Sequence, residues 1–392
     1  MLIRSIQLRN LLSYGPDTPS LSLGPLNIFI GPNGSGKSNL IESFSLLQSV
    51  QKGFSFPIRE GGGIHDWLWK GTGNAPVACV EAVIEYPTVP DMPLRYRFDF
   101  TQSGQRFEIV DERIENESPF PGHGDTYFFY RYEHNHPVLN VREKGGIISK
   151  RYLKREDVDP EKSIIAQRID PDQYPEITWL GDTLPKIRIY REWSFGRYTL
   201  PRMPQKSDLP NDFLEEDGRN LGLVLNRLQR EPARMKLLET IRALYDGIED
   251  IHVTVDSGSV QVFFLENGFS VPATRLSDGT LRFLCLAAIL IHPSPPPLVC
   301  IEEPELGLHP DLIGTVADLL KDASRRTQLI VTTHSDILVD AFTEDPGAVL
   351  ICEKQDGCTS IRRLDAESLA PWIEKYRLGN LWIRGEIGGT RW

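Results

Sequence analysis

The sequence predicts an α/β fold whose candidate functional residues follow buried strands. Three observations predict it. An apolar run at residues 26–30 leads directly into a glycine-rich loop, a second run at 298–301 ends in two carboxylates, and a third at 329–331 ends in polar residues and a histidine. Continuous apolar runs of this length are typical of parallel strands that are covered on both faces. Ligands of α/β folds bind at the carboxyl edge of such a sheet.

The glycine-rich loop reads Gly-Pro-Asn-Gly-Ser-Gly-Lys-Ser over residues 31–38. Glycines let main-chain N–H groups turn inward around phosphates, Lys37 can reach the β- and γ-phosphates, and the Ser38 hydroxyl can bind Mg²⁺. A helix starting near Gly36 would point its positive dipole end at the anion. An ordinary turn is the alternative, which the flanking strand and apolar helix disfavour. The predicted ligands are ATP and Mg²⁺, and the predicted binding residues are Gly31, Asn33, Gly34, Ser35, Gly36, Lys37, Ser38 and Asn39.

Length and composition set wider limits. The 392 residues can form one large or two intimately packed domains, and the net charge of −11 argues against nonspecific DNA coating by an isolated subunit. No apolar run is long enough to span a bilayer, and the first residues lack the pattern of a signal peptide. The five cysteines show no metal-type spacing. We therefore expect a cytoplasmic protein that has no membrane partner.

The second apolar run ends in Glu302 and Glu303. One carboxylate can hold Mg²⁺, through water, and the next can orient or deprotonate an attacking water. A solvated strand end or a helix N-cap region is the structural alternative. The phosphate-binding loop elsewhere in the chain favours the functional interpretation.

Two further segments carry candidate residues. Ser277, in Leu276-Ser-Asp-Gly-Thr280, precedes an apolar helix and is placed to cap it, so that the helix would point N–H groups at an anion. A capped core helix with no ligand is the alternative. His334 follows the third apolar run. A histidine at a strand end is usually structural, but this strand comes after the carboxylate strand and a helix at 311–324, which favours a functional role.

The middle of the chain lacks the heptads of a long coiled coil. Residues 77–132 alternate apolar and polar side chains, which predicts antiparallel strands. Apolar spacing predicts two helices, at 211–229 and 232–248, as a short helical insertion. A basic stretch at 142–155, including Lys144, favours a solvated loop or hairpin over a DNA or partner contact. The string His134-Asn-His136 lacks supporting ligands, so we reject a metal or nuclease interpretation.

The order of these motifs along the chain, ending at His334, resembles the ABC-type ATPase head of the SMC, RecF and OLD-like proteins. Residues 2–10 and 31–39 resemble their first strand and phosphate loop. The similarity to stand-alone predicted ATPases of bacterial defence loci extends to Tyr190-Arg-Glu-Trp193 and to the tail at 381–389. The implied fold is a P-loop NTPase, an ABC/RecF-like head with an antiparallel β subdomain. We divide it into an N-terminal lobe (1–200), a helical element (201–250) and a C-terminal lobe (251–392).

The resemblance also implies roles for particular residues. Two heads bind ATP between them in this family, so Ser277 and the Gly279 region of one copy would contact the γ-phosphate held by the phosphate loop of the other. Glu303 would be the base that activates water, Glu302 a Mg²⁺-side carboxylate, and His334 the γ-phosphate sensor. The implied assembly is a homodimer or higher oligomer.

Two departures from the family pattern stand out. Asp278 replaces a glycine of the usual signature, so its carboxylate must point away from the phosphate or meet a cation. Glu302 replaces the commoner aspartate. The family also has a Mg²⁺-side glutamine between the phosphate loop and the signature, for which Gln167 is one candidate among several.

Three functions fit these residues. The first is an ATPase whose ATP-dependent dimerisation controls a separately encoded effector, a nuclease or toxin, in anti-phage defence. The second is a RecF-like repair ATPase that binds DNA, and the third is an ATP-dependent scaffold with little turnover. We favour the first.

Overall fold

The computed structural model describes residues 1–71, 76–134, 136–143 and 148–389. The strands are β1 (Ile3–Arg9), β2 (Leu21–Ser22), β3 (Leu26–Ile30), β4 (Ala78–Ile84), β5 (Leu94–Ser103), β6 (Arg106–Asn116), β7 (Phe128–Glu133), β8 (His136–Arg142), β9 (Ile148–Tyr152), β10 (Arg188–Tyr190), β11 (Gln205–Lys206), β12 (Ile248–Asp256), β13 (Ser259–Glu266), β14 (Phe269–Pro272), β15 (Leu298–Glu302), β16 (Gln328–Thr332), β17 (Val349–Gln355) and β18 (Cys358–Arg363). The helices are α1 (Lys37–Gln48), α2 (Ser55–Glu60), α3 (Ile64–Trp67), α4 (Ile164–Gln167), α5 (Pro175–Thr183), α6 (Leu221–Leu228), α7 (Arg234–Arg242), α8 (Asp278–Leu290), α9 (Pro310–Ala323), α10 (Asp336–Asp340), α11 (Ala366–Ile373) and α12 (Leu378–Ile383).

One compact unit consists of residues 1–24, 32–187 and 352–362. Its main feature is an antiparallel sheet with the strand order β2-β1-β4-β5-β6-β7-β8-β9. The antiparallel strands predicted from the alternating pattern are therefore confirmed. Along β5 every second side chain is buried at first, and Phe98 stacks on Phe54 with ring centroids 4.5 Å apart.

The other compact unit consists of residues 25–31, 188–351 and 363–392. Its central sheet is parallel, and β10, β15, β16, β3 and β17 are neighbours in that order. Every residue of β3 and β16 is buried, as are the four apolar residues of β15. Such strands must be covered on both faces of the sheet, and apolar residues of the helices α8 and α9 provide part of this cover. The sequence prediction of buried parallel strands is confirmed.

The first predicted helix, 211–229, is confirmed only in its C-terminal half, where α6 forms. Residues 211–220 are irregular instead. The Asn220 carboxamide donates to the main-chain carbonyls of Pro210 and Phe213, at 2.8 Å each. Asparagine side chains that bond to nearby main chain offer it an alternative to the helix, which explains why the helix begins only after this residue.

The second predicted helix, 232–248, is too long at both ends, since only α7 forms. Gly247 adopts a φ of 103°, and Ile248 begins β12 instead of ending the helix. β12 pairs with β13 in a smaller antiparallel sheet that also contains β11 and β14. Apolar residues at helical spacing continued across this turn, so the periodicity alone did not reveal the change to a strand.

The structure bears on three more expectations. No long coiled coil occurs in the described part of the chain, as predicted, where the longest helix is α9 with 14 residues. Across the same residues, no helix has the length and apolarity needed to cross a membrane. The ranges 1–200, 201–250 and 251–392 remain a division of the sequence. Each compact unit combines segments from more than one of these ranges, because β3 pairs with strands that follow some 300 residues later in the chain.

Candidate active site

The parallel sheet brings several candidate residues to one edge. In the register, Glu302 lies opposite Thr332, and Thr332 opposite Phe29 of β3. The main-chain N–H of Glu303 donates to the Thr332 carbonyl at 3.0 Å, and that of Thr333 donates to the Phe29 carbonyl at 3.1 Å. Since all these strands run in the same direction, the carboxylates, the residues after β16 and the start of the phosphate loop emerge at the same edge.

The phosphate loop has the main-chain form that its sequence predicts. Gly36 has a φ of 100° and precedes α1, which begins at Lys37. The Lys37 ammonium donates to the Pro32 carbonyl at 3.0 Å across the loop. A Cβ added at Gly34 would meet nothing within 4 Å, and the Ser35 hydroxyl is buried with no hydrogen-bond partner among the described residues. Open space, an orphaned buried hydroxyl and a helix start without a side-chain cap fit a bound phosphate.

Residues that sequence reasoning missed support the loop from behind. The Tyr14 hydroxyl donates to the Gly36 carbonyl at 3.0 Å. Thr359 Oγ1 lies 2.9 Å from the Ser35 carbonyl oxygen and 2.7 Å from the hydroxyl of Ser13. A Cβ at Gly36 would collide with Thr359 Oγ1, so this position requires glycine for space as well as for its φ.

Asn39, predicted to bind the nucleotide, contributes to the same support. Its carboxamide donates to the Ser13 hydroxyl at 2.8 Å. Ser38 is the second residue of α1, where a hydroxyl beside the phosphate loop can serve a metal ion. No signal in a single sequence marks Ser13 and Thr359, because neither belongs to a recognisable motif.

Glu303 and His334 lie together, as their predicted roles require. The Glu303 Oε1 atom is 3.6 Å from His334 Nε2, which makes an ion pair when the imidazole is protonated, and each side chain is 35% exposed. Glu303 has a left-handed main chain with a φ of 46°, uncommon for a residue other than glycine. Such conformations persist only where the surrounding structure maintains them, and they cluster at functional sites.

Glu305, another residue that sequence reasoning missed, holds the histidine loop. Its Oε1 accepts a hydrogen bond from the Thr333 hydroxyl at 2.6 Å and from the His334 N–H at 2.9 Å. The carboxylate therefore fixes the main chain that carries the imidazole. A carboxylate three residues after the strand gave no sequence signal of this role.

Glu302 is held by an ion pair. Its Oε2 lies 3.1 Å from Arg191 Nε, and the Glu302 side chain is 14% exposed. Arg191 follows β10 at the sheet edge. Within the described residues, no group of three or more His, Cys, Asp and Glu side chains is arranged to hold a metal ion. A metal at Glu302 would therefore need further ligands from the nucleotide or from hydroxyls and water.

The signature segment begins α8 as predicted. Ser277 is the N-cap, and its hydroxyl accepts a hydrogen bond from the Thr280 N–H at 3.0 Å. A Cβ added at Gly279 would lie 2.6 Å from the carbonyl oxygen of Gly307. The glycine thus permits close contact with the loop after β15. Asp278 meets a cation, since its Oδ1 lies 2.6 Å from Arg202 Nη2.

Arg282 connects the signature helix to the carboxylate loop. Its Nη1 donates to the Glu303 carbonyl at 3.1 Å. The guanidinium carbon lies 5.5 Å from the ring centroid of Trp193 and 5.6 Å from that of Phe195, which are cation–π distances. Burial lowers the pKa of Arg282, and the charges of Glu305 and Glu303 act in the opposite direction. The aromatic residues of the 190–195 segment therefore help to position Glu303.

Gln167, the candidate Mg²⁺-side glutamine, has its carboxamide engaged in a local turn. Its Oε1 accepts from the Asp159 N–H at 2.9 Å, and its Nε2 donates to the Lys162 carbonyl at 2.8 Å. These bonds place it as a support of the turn before α4. A role in metal binding stays a prediction that these contacts do not favour.

Part of the basic stretch lies on the hairpin of β8 and β9, and several of its described cations have partners. Arg142 pairs with Glu176 at 2.5 Å, and Lys150 with Glu133 at 3.0 Å. Lys144 lies outside the described residues, as does Asn135 of the rejected His-Asn-His string.

Comparisons with known proteins place the fold. A family model described as "AAA domain, putative AbiEii toxin, Type IV TA system" matches residues 26–340. Among solved structures, the chain resembles an SMC head bound to the C-winged helix domain of ScpA, with 17% identity, a TM-score of 0.57, and coverage of 94% of this chain and 99% of that chain.

Two further SMC heads are also similar. One, with an extended coiled coil and bound to the C-terminal domain of ScpA, derives from Pyrococcus furiosus, with 14% identity, a TM-score of 0.51, and coverage of 96% of this chain and 99% of that chain. The other, with a coiled coil and joint, derives from Pyrococcus yayanosii, with 13% identity, a TM-score of 0.53, and coverage of 96% and 99%. The predicted fold, a P-loop ATPase head with an antiparallel sheet, is confirmed.

Proposed function

Because the chain belongs to the family of AAA domains described as "putative AbiEii toxin, Type IV TA system", we propose that it binds and hydrolyses ATP and that ATP joins two copies into a sandwich dimer. The observation that carries this proposal is the pair of Glu303 and His334, 3.6 Å apart at the sheet edge where the phosphate loop begins. A carboxylate beside an imidazole at this edge is suited to water activation next to a terminal phosphate.

Several of the predicted residues have a role in this reaction. The N–H groups of the phosphate loop and Lys37 hold the phosphates, and Glu303 accepts the proton of the attacking water. His334 keeps the Glu303 carboxylate oriented and contacts the terminal phosphate. Ser38 and Glu302 would hold Mg²⁺, which supplies positive charge to the phosphate oxygens when it is bound.

The second copy completes the site with its signature segment. Ser277 and Asp278 are exposed at the start of α8, so another chain can reach them. The helix start there is an anion-binding feature like that of α1. A chain of this kind would hold two nucleotides between its two copies.

We further propose that dimer opening and closing controls a separately encoded effector, a nuclease or toxin, in anti-phage defence in the cytoplasm. The family description as a putative toxin of a toxin–antitoxin system supports a link to a harmful activity. Two of the similar SMC heads are described with a ScpA domain bound, a precedent for a partner protein on such a head. All five cysteines are free thiols, consistent with a reducing compartment.

The test is the Glu303→Gln variant. We expect ATP hydrolysis to fall by about 100-fold or more, because the base is lost, and a dimer to persist with ATP and Mg²⁺ in size-exclusion chromatography with light scattering. Lys37→Ala should stay monomeric under the same conditions. An unchanged ATPase rate and oligomeric state of Glu303→Gln would refute the proposal.

The repair function gives a different result in a binding assay. Nanomolar affinity of the wild-type protein for duplex DNA, with a steep dependence on salt, would favour the RecF-like alternative over effector control. The paired cations of the β8–β9 hairpin lead us to expect weak DNA binding instead.

A further inference from the structure

The carboxylate assigned to the metal already has a cation. Arg191 Nε lies 3.1 Å from Glu302 Oε2, and the two side chains are 32% and 14% exposed. The register of the sheet brings the two residues together. Tyr190 of β10 lies opposite Ile301 of β15, and Arg191 and Glu302 are the residues that follow them in the chain. The geometry therefore builds the guanidinium into the edge that carries the catalytic carboxylates.

The main chain that carries Arg191 is fixed. The buried Tyr190 hydroxyl donates to the Leu214 carbonyl at 2.6 Å, and the Ile189 N–H donates to a carboxylate oxygen of Glu216 at 2.8 Å. β10 therefore has little freedom to move away from β15. If the pair opens, the long arginine side chain is the part that moves.

A divalent cation at Glu302 must contend with this guanidinium. Two cations on one partly buried carboxylate repel each other strongly, because solvent screens them less than on the surface. Without metal, the same guanidinium cancels a negative charge that would otherwise repel the triphosphate. Arg191 thus has opposite effects on metal binding and on metal-free nucleotide binding.

We propose that Arg191 is a built-in competitor of the divalent metal at Glu302, a positioning residue that sets how strongly ATP binding depends on Mg²⁺. The proposal rests on the proposed function, since it requires nucleotide at this edge. Metal-free nucleotide binds while Arg191 is still paired with Glu302. When Mg²⁺ binds, it replaces the arginine as the partner of the Glu302 carboxylate. Thermodynamic linkage makes this exchange measurable.

The experiment compares nucleotide affinity with and without metal. The probe is a fluorescent, slowly hydrolysed ATP analogue, titrated in EDTA and in saturating Mg²⁺, and the readout is the ratio of the two dissociation constants. For Arg191→Gln and Arg191→Ala we expect weaker binding in EDTA and near-wild-type binding in Mg²⁺, so that the ratio rises by about fivefold or more. Arg191→Lys should keep the wild-type ratio.

Two controls complete the design. Arg219→Ala removes a guanidinium from an exposed pair with Asp217 and should leave the ratio unchanged. The double variant Arg191→Gln/Glu302→Gln should not show the increased ratio of dissociation constants, because it lacks the carboxylate that both Arg191 and Mg²⁺ would bind.

The outcomes separate this inference from the function on which it rests. If Arg191→Gln weakens binding equally with and without Mg²⁺, Arg191 is a nucleotide contact or a structural residue, and the competition is refuted while ATP binding stands. If the wild-type protein binds the analogue in neither condition, the proposed function fails and the inference fails with it.

Discussion

The Arg202 guanidinium clamps Asp278, with Nη2 2.6 Å from Oδ1. The arginine side chain is 6% exposed, whereas the aspartate side chain is 69% exposed. Arg202 also donates to the carbonyls of Phe195, at 3.0 Å, and Leu276. The acidic residue that departs from the usual signature is therefore matched by a buried cation, which also ties the signature to the aromatic segment before it.

The first prediction concerns this clamp. Arg202→Met should lower the free energy of unfolding by about 3 kcal/mol, because it leaves buried carbonyls without donors. Asp278→Asn should cost less than about 1 kcal/mol, since its carboxylate is mostly exposed and screened. Urea denaturation of both variants measures the difference. Equal losses would show that the ion pair, not the carbonyl contacts, is the main contribution.

The second prediction tests the close contact at the signature. Gly279→Ala places a methyl group 2.6 Å from the Gly307 carbonyl oxygen. We expect a loss of roughly 1–3 kcal/mol, as the loop after β15 must shift. Gly314→Ala is the matched control, because an added Cβ there meets nothing within 4 Å and α9 gains helix propensity of roughly 0.5–1 kcal/mol. Thermal unfolding should move the two midpoints in opposite directions.

The third prediction concerns pH. Burial raises the pKa of Glu112 to about 7, although hydrogen bonds from Ser163, Ile164 and Tyr96 act in the opposite direction. A carboxyl group whose pKa is higher in the folded state stabilises the fold at low pH, and this contribution is lost as the pH rises from about 4.5 to about 7.

The pH effect can be measured by urea denaturation at several pH values. The loss between these limits should approach 3 kcal/mol as an order of magnitude. Glu112→Gln should flatten this pH dependence at some cost in stability, because its amide has one acceptor oxygen where the carboxylate has two, which accept from the Ser163 and Tyr96 hydroxyls and, at 2.8 Å, from the Ile164 N–H. A wild-type stability that rises across this range would contradict the prediction.

The fourth prediction separates capping from phosphate contact at Ser277. Ser277→Ala should lower the free energy of unfolding by about 1 kcal/mol, because the Thr280 N–H loses its acceptor. Ser277→Asn should keep the cap and the stability, since both residues are good N-caps. If the hydroxyl contacts the γ-phosphate of a second copy, both variants should lose the ATP-dependent dimer seen by light scattering. A dimer that survives in Ser277→Asn would limit Ser277 to capping.

Local features could be predicted from the sequence because their partners lie close along the chain. The phosphate loop, the Ser277 cap and the buried strands each depend on a few consecutive residues. The parallel order of the strands then brings Glu303 and His334 together, 31 residues apart in sequence yet paired at 3.6 Å.

The supporting residues could not be predicted, because their partners are far away in sequence. Arg202 and Asp278 are 76 residues apart, and Arg191 and Glu302 are 111 residues apart. Thr359 contacts Ser13 across 346 residues. Such pairs carry no local pattern. The helix errors at 211–220 and near Ile248 arose differently, because local side-chain bonds and a glycine turn overrode apolar spacing.

The position of β3 has a consequence for synthesis of the chain. Its neighbours β16 and β17 are synthesised some 300 residues later. The Asn27 carboxamide on β3 donates to the Leu329 carbonyl at 3.1 Å, and these two residues are 302 positions apart in the chain. The ribosome therefore synthesises the phosphate-loop residues long before β3, the strand that anchors them, has neighbouring strands to pair with. We expect nucleotide binding to begin only once translation has passed β17, so that ATP capture marks a chain that is synthesised this far and correctly paired.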